Sequence, residues 1–366
     1  MRWVVLTSTI ALAMIIGVLL MFGSESDNTE VSQEKLRVAM IMTGLRNDHS
    51  WNETHFEAIQ RAENLLNLEV AYYENIPTDS TSQTVMEQAI QKGAKIVIAN
   101  SYGFGEHELA VARNHPETKF LHATGLQTAT NLSTFFGRMY QLRYLSGIVA
   151  GSKTKTNEIG YVAALNIPEV ARGANAFALG VQKVNPNAKV FISWTGSWTD
   201  ESMAADATRE LLDNHNIDVL ATHLDALSPY EIADDKGVWI IGYNRDNSRR
   251  FPEHFLTAPI WRWENFYIPK IREIIQDKFE GKAYWLGLES GIMELSDLTR
   301  NVEDSIRQVV EEEKLRLTQG KFDVFYGPIV DNHGNIRVGE GESMTDDAML
   351  NRFDWYVKGV IDGIKP

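Results

Sequence analysis

LRVAMIMTGLRNDHSWNE (residues 36–53) decides how this chain is read. The apolar run at 36–42 predicts a buried strand, and the apolar spacing over 53–66 predicts an amphipathic helix. The polar loop between them carries Gly44 and one large aromatic, Trp51. Open α/β sheets present ligand contacts in this way, beyond the carboxyl ends of their strands. Trp51 offers a flat face for stacking, and Asp48, Ser50 and Asn52 set directional hydrogen-bonding groups around it. The loop reads as part of a receptor for a planar polar molecule.

The alternation continues in both directions from this loop. Strand-like runs at 36–42, 68–73, 95–100, 119–124 and 131–137 are separated by helical patterns at 53–66, 81–92 and 105–114. A helix rich in small residues, 138–154, ends the series. A second series has strands at 158–164, 188–194, 218–223, 237–243 and 254–260, with helices near 168–184, 200–215 and 228–235. Repeated βαβ units predict parallel sheets, here in two successive lobes, 36–152 and 153–257. The remainder predicts a long helix at 263–281, a strand around 286–295, a charged helix at 301–320 and a β-rich ending with a turn at Asp331-Asn332-His333-Gly334. A third segment of this kind completes the lobes, part of 258–290 with the first and part of 290–366 with the second. The chain then crosses between lobes more than once.

With 366 residues and a formal net charge of −14, the chain has room for two domains and no basic stripe for nucleic acid. It contains no cysteine, which excludes disulfides, thiolate metal sites and a lipidated N-terminal cysteine. Met1-Arg2 and the uncharged apolar run 3–22 read as an export signal or as a retained membrane anchor, and residues 24–35 as a flexible leader. Either reading exports the rest.

Cleft-facing loops carry the candidate binding residues. Trp51, Trp198, Trp261 and Trp263 supply rings, and a stacked pair is worth about 0.5–1.5 kcal/mol beyond area burial. Each also suits a place in a lobe core. Asn52, His223, Asp225, Asn244 and Asp246 supply polar groups, although Asp and Asn equally cap their own turns. Ser101 and Tyr102, after the third strand, are further wall residues. No G-x-G-x-x-G, phosphate loop, H-E-x-x-H or G-x-S-x-G stands in the sequence, so no cofactor, metal or catalytic group is expected.

Long ordered motifs extend these readings: GLRNDHSWNE, GFGEHELAVARNHPETKF, RYLSGIVAGSKTKTNEIGYVAA, WTGSWTDESMAADATRELL, GVWIIGYNRDN with LTAP, and FYGPIVDNHG. In these the chain resembles the basic-membrane-protein (Bmp/PnrA-like) solute-binding proteins, over nearly all of residues 36–366. The resemblance implies a type I periplasmic-binding fold, an α/β architecture with two Rossmann-like lobes joined by three crossovers. It implies a non-catalytic receptor for purine bases or nucleosides that serves the membrane subunits of an ABC importer. The family's aromatic-Asn pair falls on Trp51-Asn52, and its G-x-D-x-D motif reads Gly242-Tyr243-Asn244-Arg245-Asp246, with asparagine in place of the first acid. Where nucleoside binders place a ribose-contacting lysine, this chain has Ala258-Pro259-Ile260-Trp261, which favours a bare, adenine-type base. The expected site therefore has Trp51 and Trp198 around the ring and Asn52, Asp225 and Asp246 on its edges. Ser101, Tyr102, His223 and Trp261 would complete the walls. A membrane-held ligand sensor and a nucleoside-cleaving enzyme are the alternatives.

Overall fold

The computed structural model describes residues 35–364, so the N-terminal apolar run and leader lie outside the described residues. The first lobe is built on a six-stranded sheet. Its strands are β1 (Leu36–Ile41), β2 (Leu68–Tyr73), β3 (Ile96–Ala99), β4 (Lys119–Ala123), β5 (Leu132–Gly137) and β12 (Ala283–Leu286). They lie in the order β12-β5-β4-β3-β1-β2, all parallel. Helices α1 (Trp51–Leu66), α2 (Ser80–Gln91) and α3 (Gly105–Asn114) connect the first four strands. Every residue of β3 is buried, as expected of a strand covered on both faces.

The second lobe repeats the plan. Strands β6 (Glu158–Ala163), β7 (Lys189–Trp194), β8 (Val219–His223), β9 (Trp239–Ile241), β10 (Phe255–Thr257) and β16 (Val360–Ile364) form a sheet in the order β10-β9-β8-β6-β7-β16. All its pairings are parallel. Between them run α5 (Pro168–Val184), α6 (Glu201–Asn214) and α7 (Ser228–Asp235). The fold is thus α/β, with two parallel six-stranded sheets of the type I periplasmic-binding arrangement.

Three connections join the sheets. The first is α4 (Tyr140–Lys153). The second runs through β11 (Pro259–Trp261) and α8 (Glu264–Ile275) back to β12. The third passes through β13 (Met293–Leu295), α9 (Asp304–Thr318), the hairpin of β14 (Ile329–Val330) and β15 (Ile336–Val338), and α10 (Asp346–Asn351) to β16. In the hairpin turn the Asp331 carboxylate accepts from the backbone amides of His333 at 2.9 Å and Asn335 at 2.8 Å. Among the described residues no helix is long and apolar enough to cross a membrane.

Three sequence expectations change. The run at 254–260 is two strands, because Thr257 and Ala258 bond Ser296 and turn the chain out of the second sheet into an antiparallel pairing of β11 with β13. The helix expected to reach 281 stops at Ile275, and Asp277 takes a left-handed φ of 54° just beyond it. The strand expected at 286–295 is broken by a 3₁₀ turn, Leu288–Ser290.

Helices α4 and α5 pack against each other through glycine. A Cβ at Gly147 would lie 2.0 Å from the Phe177 carbonyl oxygen, and one at Gly180 would lie 2.0 Å from that of Tyr144. Backbone cannot yield as a side-chain tip can. Gly180→Ala is therefore expected to lower stability by about 1–3 kcal/mol. The urea midpoint checks this, with an unchanged m-value expected.

Candidate functional site

The order β2-β1-β3 in the first sheet places the loops after β1 and β3 side by side at the switch point, where open α/β sheets hold ligands. Both loops are fixed from within. Asp48 caps α1: its Oδ1 accepts from the amides of Ser50 and Glu53, at 2.9 and 3.0 Å, and its Oδ2 from that of Asn52 at 2.9 Å. The Asn52 side chain donates to Asp48 at 2.8 Å, while its oxygen accepts from the Asn100 side chain at 2.8 Å and the Gly44 amide at 3.3 Å. Buried, and bonded through both its nitrogen and its oxygen, Asn52 ties the two loops together. Trp51 donates its indole N–H to the Asn100 carbonyl at 2.7 Å and keeps a half-buried ring.

In the second lobe the matching switch point lies between β6 and β8. His223 ends β8, and Asp225 follows on the loop. The Asp225 amide donates to the Trp198 carbonyl at 2.7 Å, so the loops after β7 and β8 travel together. Across the cleft, the Ser50 hydroxyl donates to Asp225 Oδ1 at 2.6 Å. The Asn244 side chain donates to the same oxygen at 2.7 Å and to Ser50 Oγ at 3.0 Å. Asn244 in turn accepts from the Trp261 indole at 2.8 Å, and it holds a left-handed φ of 63°. Ser50, Asp225, Asn244 and Trp261 thus form one polar chain linking both lobes and the hinge. Burial pushes the Asp225 carboxyl up to about 7, and the nearby Asp48 charge adds to the rise against the bonds from Ser50 and Asn244.

Aromatic packing organises the hinge side. Trp261 stacks on Trp263 with centroids 4.1 Å apart and 12° between planes. Trp51 meets both edge-on, at 5.8 and 5.7 Å. Trp198 is half-buried and meets the edge of His223 at 6.2 Å. Beneath it, the wholly buried His223 has Nδ1 2.8 Å from the Tyr161 hydroxyl, and burial beside the Arg143 charge lowers its imidazole to about 4.

The remaining expected residues take other places. Asp246 is exposed, and its carboxylate accepts from the Ser248 amide at 2.8 Å in a local turn. Tyr102 is 64% exposed on the 3₁₀ turn Tyr102–Phe104. Ser101 is half-buried, with its carbonyl 2.7 Å from His122 Nε2. Arg245 reaches from the second lobe to Glu53 and Glu57 on α1. Beside it opens a polar cavity of about 290 Å³, lined by Thr54, Glu57, Asn244, Asp246 and Trp261 among others. Ser50 and Asn244 were named from the sequence among the polar loop residues, but it did not show that they bond each other across the cleft. Arg143 gave no signal, because its helix stands out only by its small residues.

Two lobes hinged by three connections, with their switch-point loops bonded across the gap, form the two-lobed cleft of the type I periplasmic-binding fold. The family model for ABC transporter substrate-binding proteins of the PnrA-like (Bmp) type matches residues 35–321, and the chain belongs to that family. It is 30% identical to a purine-binding protein of Brucella abortus, over 90% of this chain and 94% of the relative. It is 33% identical to a putative ABC transporter glucose-binding protein of Haloferax volcanii, over 89% of this chain and 81% of the relative. Among solved structures, a transcriptional activator of the comK gene from Bacillus halodurans superposes with a TM-score of 0.70 at 20% identity, covering 78% of this chain and 99% of that one. That last likeness bears on the fold alone. Binding proteins of this family are extracytoplasmic and non-enzymatic, and their partners are a solute and an ABC transporter.

Proposed function

We propose that this protein captures a purine base, or a purine nucleoside, between its lobes and presents it to the membrane subunits of an importer. The carrying observation is the hydrogen-bonded link between the loops that carry two half-buried indoles on opposite lobes. Trp51 follows Ser50, Ser50 bonds Asp225, and Asp225 bonds the Trp198 backbone, so one hydrogen-bonded chain holds both rings at the same cleft. The purine-binding relative supports the reading. A flat heteroaromatic ring would enter between Trp51 and Trp198, and Ser50, Asp225 and Asn244 would exchange their mutual bonds for bonds to its edges. Asn52 holds the first loop in shape. Asp246 and Trp261 line the neighbouring polar cavity, Ser101 and the exposed Tyr102 follow the third strand of the first lobe, and the buried His223 supports Trp198.

The glucose-binding relative favours a second reading, since a pyranose also stacks on indole and bonds Asp and Asn. Isothermal titration with adenine, hypoxanthine, adenosine, guanosine and glucose decides between them. Saturable heat with at least one purine and none with glucose is expected. Heat with glucose alone would establish the sugar reading. Delivery to a transporter, rather than signalling from a membrane-held sensor, predicts that mature protein from native cells starts near residue 25 or stays anchored beside importer subunits in a crosslinking experiment.

A further inference from the structure

Arg143 is wholly buried on α4, the first connection between the lobes. Its Nη1 donates to the Thr222 carbonyl at 2.7 Å, at the carboxyl end of β8. Its Nε and Nη2 have no partner. Those two nitrogens share one edge of the guanidinium and point two parallel N–H groups the same way, the fork that grips a pair of adjacent acceptors. The guanidinium lies 4.0 Å over the Tyr243 ring, Tyr243 packs 4.6 Å from His223, and His223 meets Trp198. His223 Nε2 lies 3.3 Å from a Glu169 carboxylate oxygen. The Tyr161 ring of β6 lies 5.7 Å from the guanidinium, a Cβ at Gly173 of α5 would lie 3.7 Å from the Arg143 side chain, and Glu169 and Arg172 stand on the same helix as Gly173. Arg172 spends a bond on the Met349 carbonyl. The patch holds two guanidiniums against one carboxylate, beside the switch point of the second lobe.

Leaving two charged donors buried without acceptors is costly, unless a ligand supplies the acceptors when it binds. On the purine reading above, we infer that Arg143 determines specificity: its free edge takes the adjacent O6 and N7 acceptors of a 6-oxopurine, so hypoxanthine or guanine is preferred over adenine. Adenine offers N7 but sets its amino group, a donor, against Nη2. This differs from the adenine-type ligand that the sequence resemblance implies.

Titration of the intact protein with hypoxanthine, adenine and 7-deazahypoxanthine, which lacks the N7 acceptor, tests the assignment. Hypoxanthine is expected to bind about 10- to 100-fold more tightly than adenine, and the deaza analogue about tenfold more weakly than hypoxanthine. Arg143→Lys keeps the charge and loses the fork. It is expected to bring hypoxanthine down to the level of the deaza analogue while adenine changes less than about threefold. Adenine binding as tightly as hypoxanthine, or Arg143→Lys weakening both bases equally, would overturn the assignment and leave the purine reading standing. Absence of heat with every purine would overturn both. Should Arg143→Lys not fold, the comparison of the three ligands on the unaltered protein decides alone.

Discussion

Trp198→Ala is expected to weaken binding of the cleft ligand by about 30- to 150-fold while leaving the empty protein folded. Stacking contributes about 0.5–1.5 kcal/mol, and covering one indole face removes enough apolar surface to bring the total to about 2–3 kcal/mol. Trp198 suits this test better than Trp51. Its ring meets one aromatic neighbour, His223, and lies against the edge of the apolar core, whereas the Trp51 ring meets His55, Phe136, Trp261 and Trp263 and also bonds the Asn100 carbonyl. Trp51→Ala would therefore combine lost affinity with a core defect. Calorimetric titration paired with a melting curve separates the two effects, and unchanged affinity in Trp198→Ala would remove that ring from the site.

The second large effect is on pH. Burial raises the Asp225 carboxyl from 3.8 to about 7, so the closed arrangement favours its protonated form. For an acid raised on folding, the stabilising contribution is complete below the ordinary aspartate value and is lost as pH climbs through the raised one. Three units correspond to at most about 4 kcal/mol, and partial solvent access reduces this to about half. The melting temperature of the unliganded protein is thus expected to drop by roughly 4 °C between pH 4 and pH 8 relative to Asp225→Asn, which lacks the titrating group. Parallel melting curves for the two proteins across that range would show that Asp225 does not carry the effect.

The βα alternation made the lobes legible, because buried parallel strands leave unbroken apolar runs such as KIVIAN and helices leave spaced ones. It failed at HFLTAPI, where two successive strands are both buried and periodicity cannot show that the chain leaves one sheet for a different pairing. The first loop was legible as a ligand loop but not in its internal division of labour. Ser50 with Glu53 has the spacing of a helix-capping pair, yet Asp48 caps the helix and the serine hydroxyl crosses the cleft to Asp225. Asn52 looked free to touch ligand, and instead bonds Asp48, Asn100 and Gly44. Such exchanges depend on which distant segment arrives beside a side chain, and local sequence does not encode that. Arg143 illustrates the limit, since its importance lies in bonds it does not make.

The Trp51–Trp261–Trp263 assembly gives the molecule its own optical gauge. Indole emission follows the polarity and the ring neighbours of each chromophore. A guest that drew the Trp51 face away from its edge-on partners would shift that emission, and so would any swing of the first lobe about the hinge. Occupancy could then be followed on unlabelled protein in real time, and the rate of opening read apart from the rate of capture.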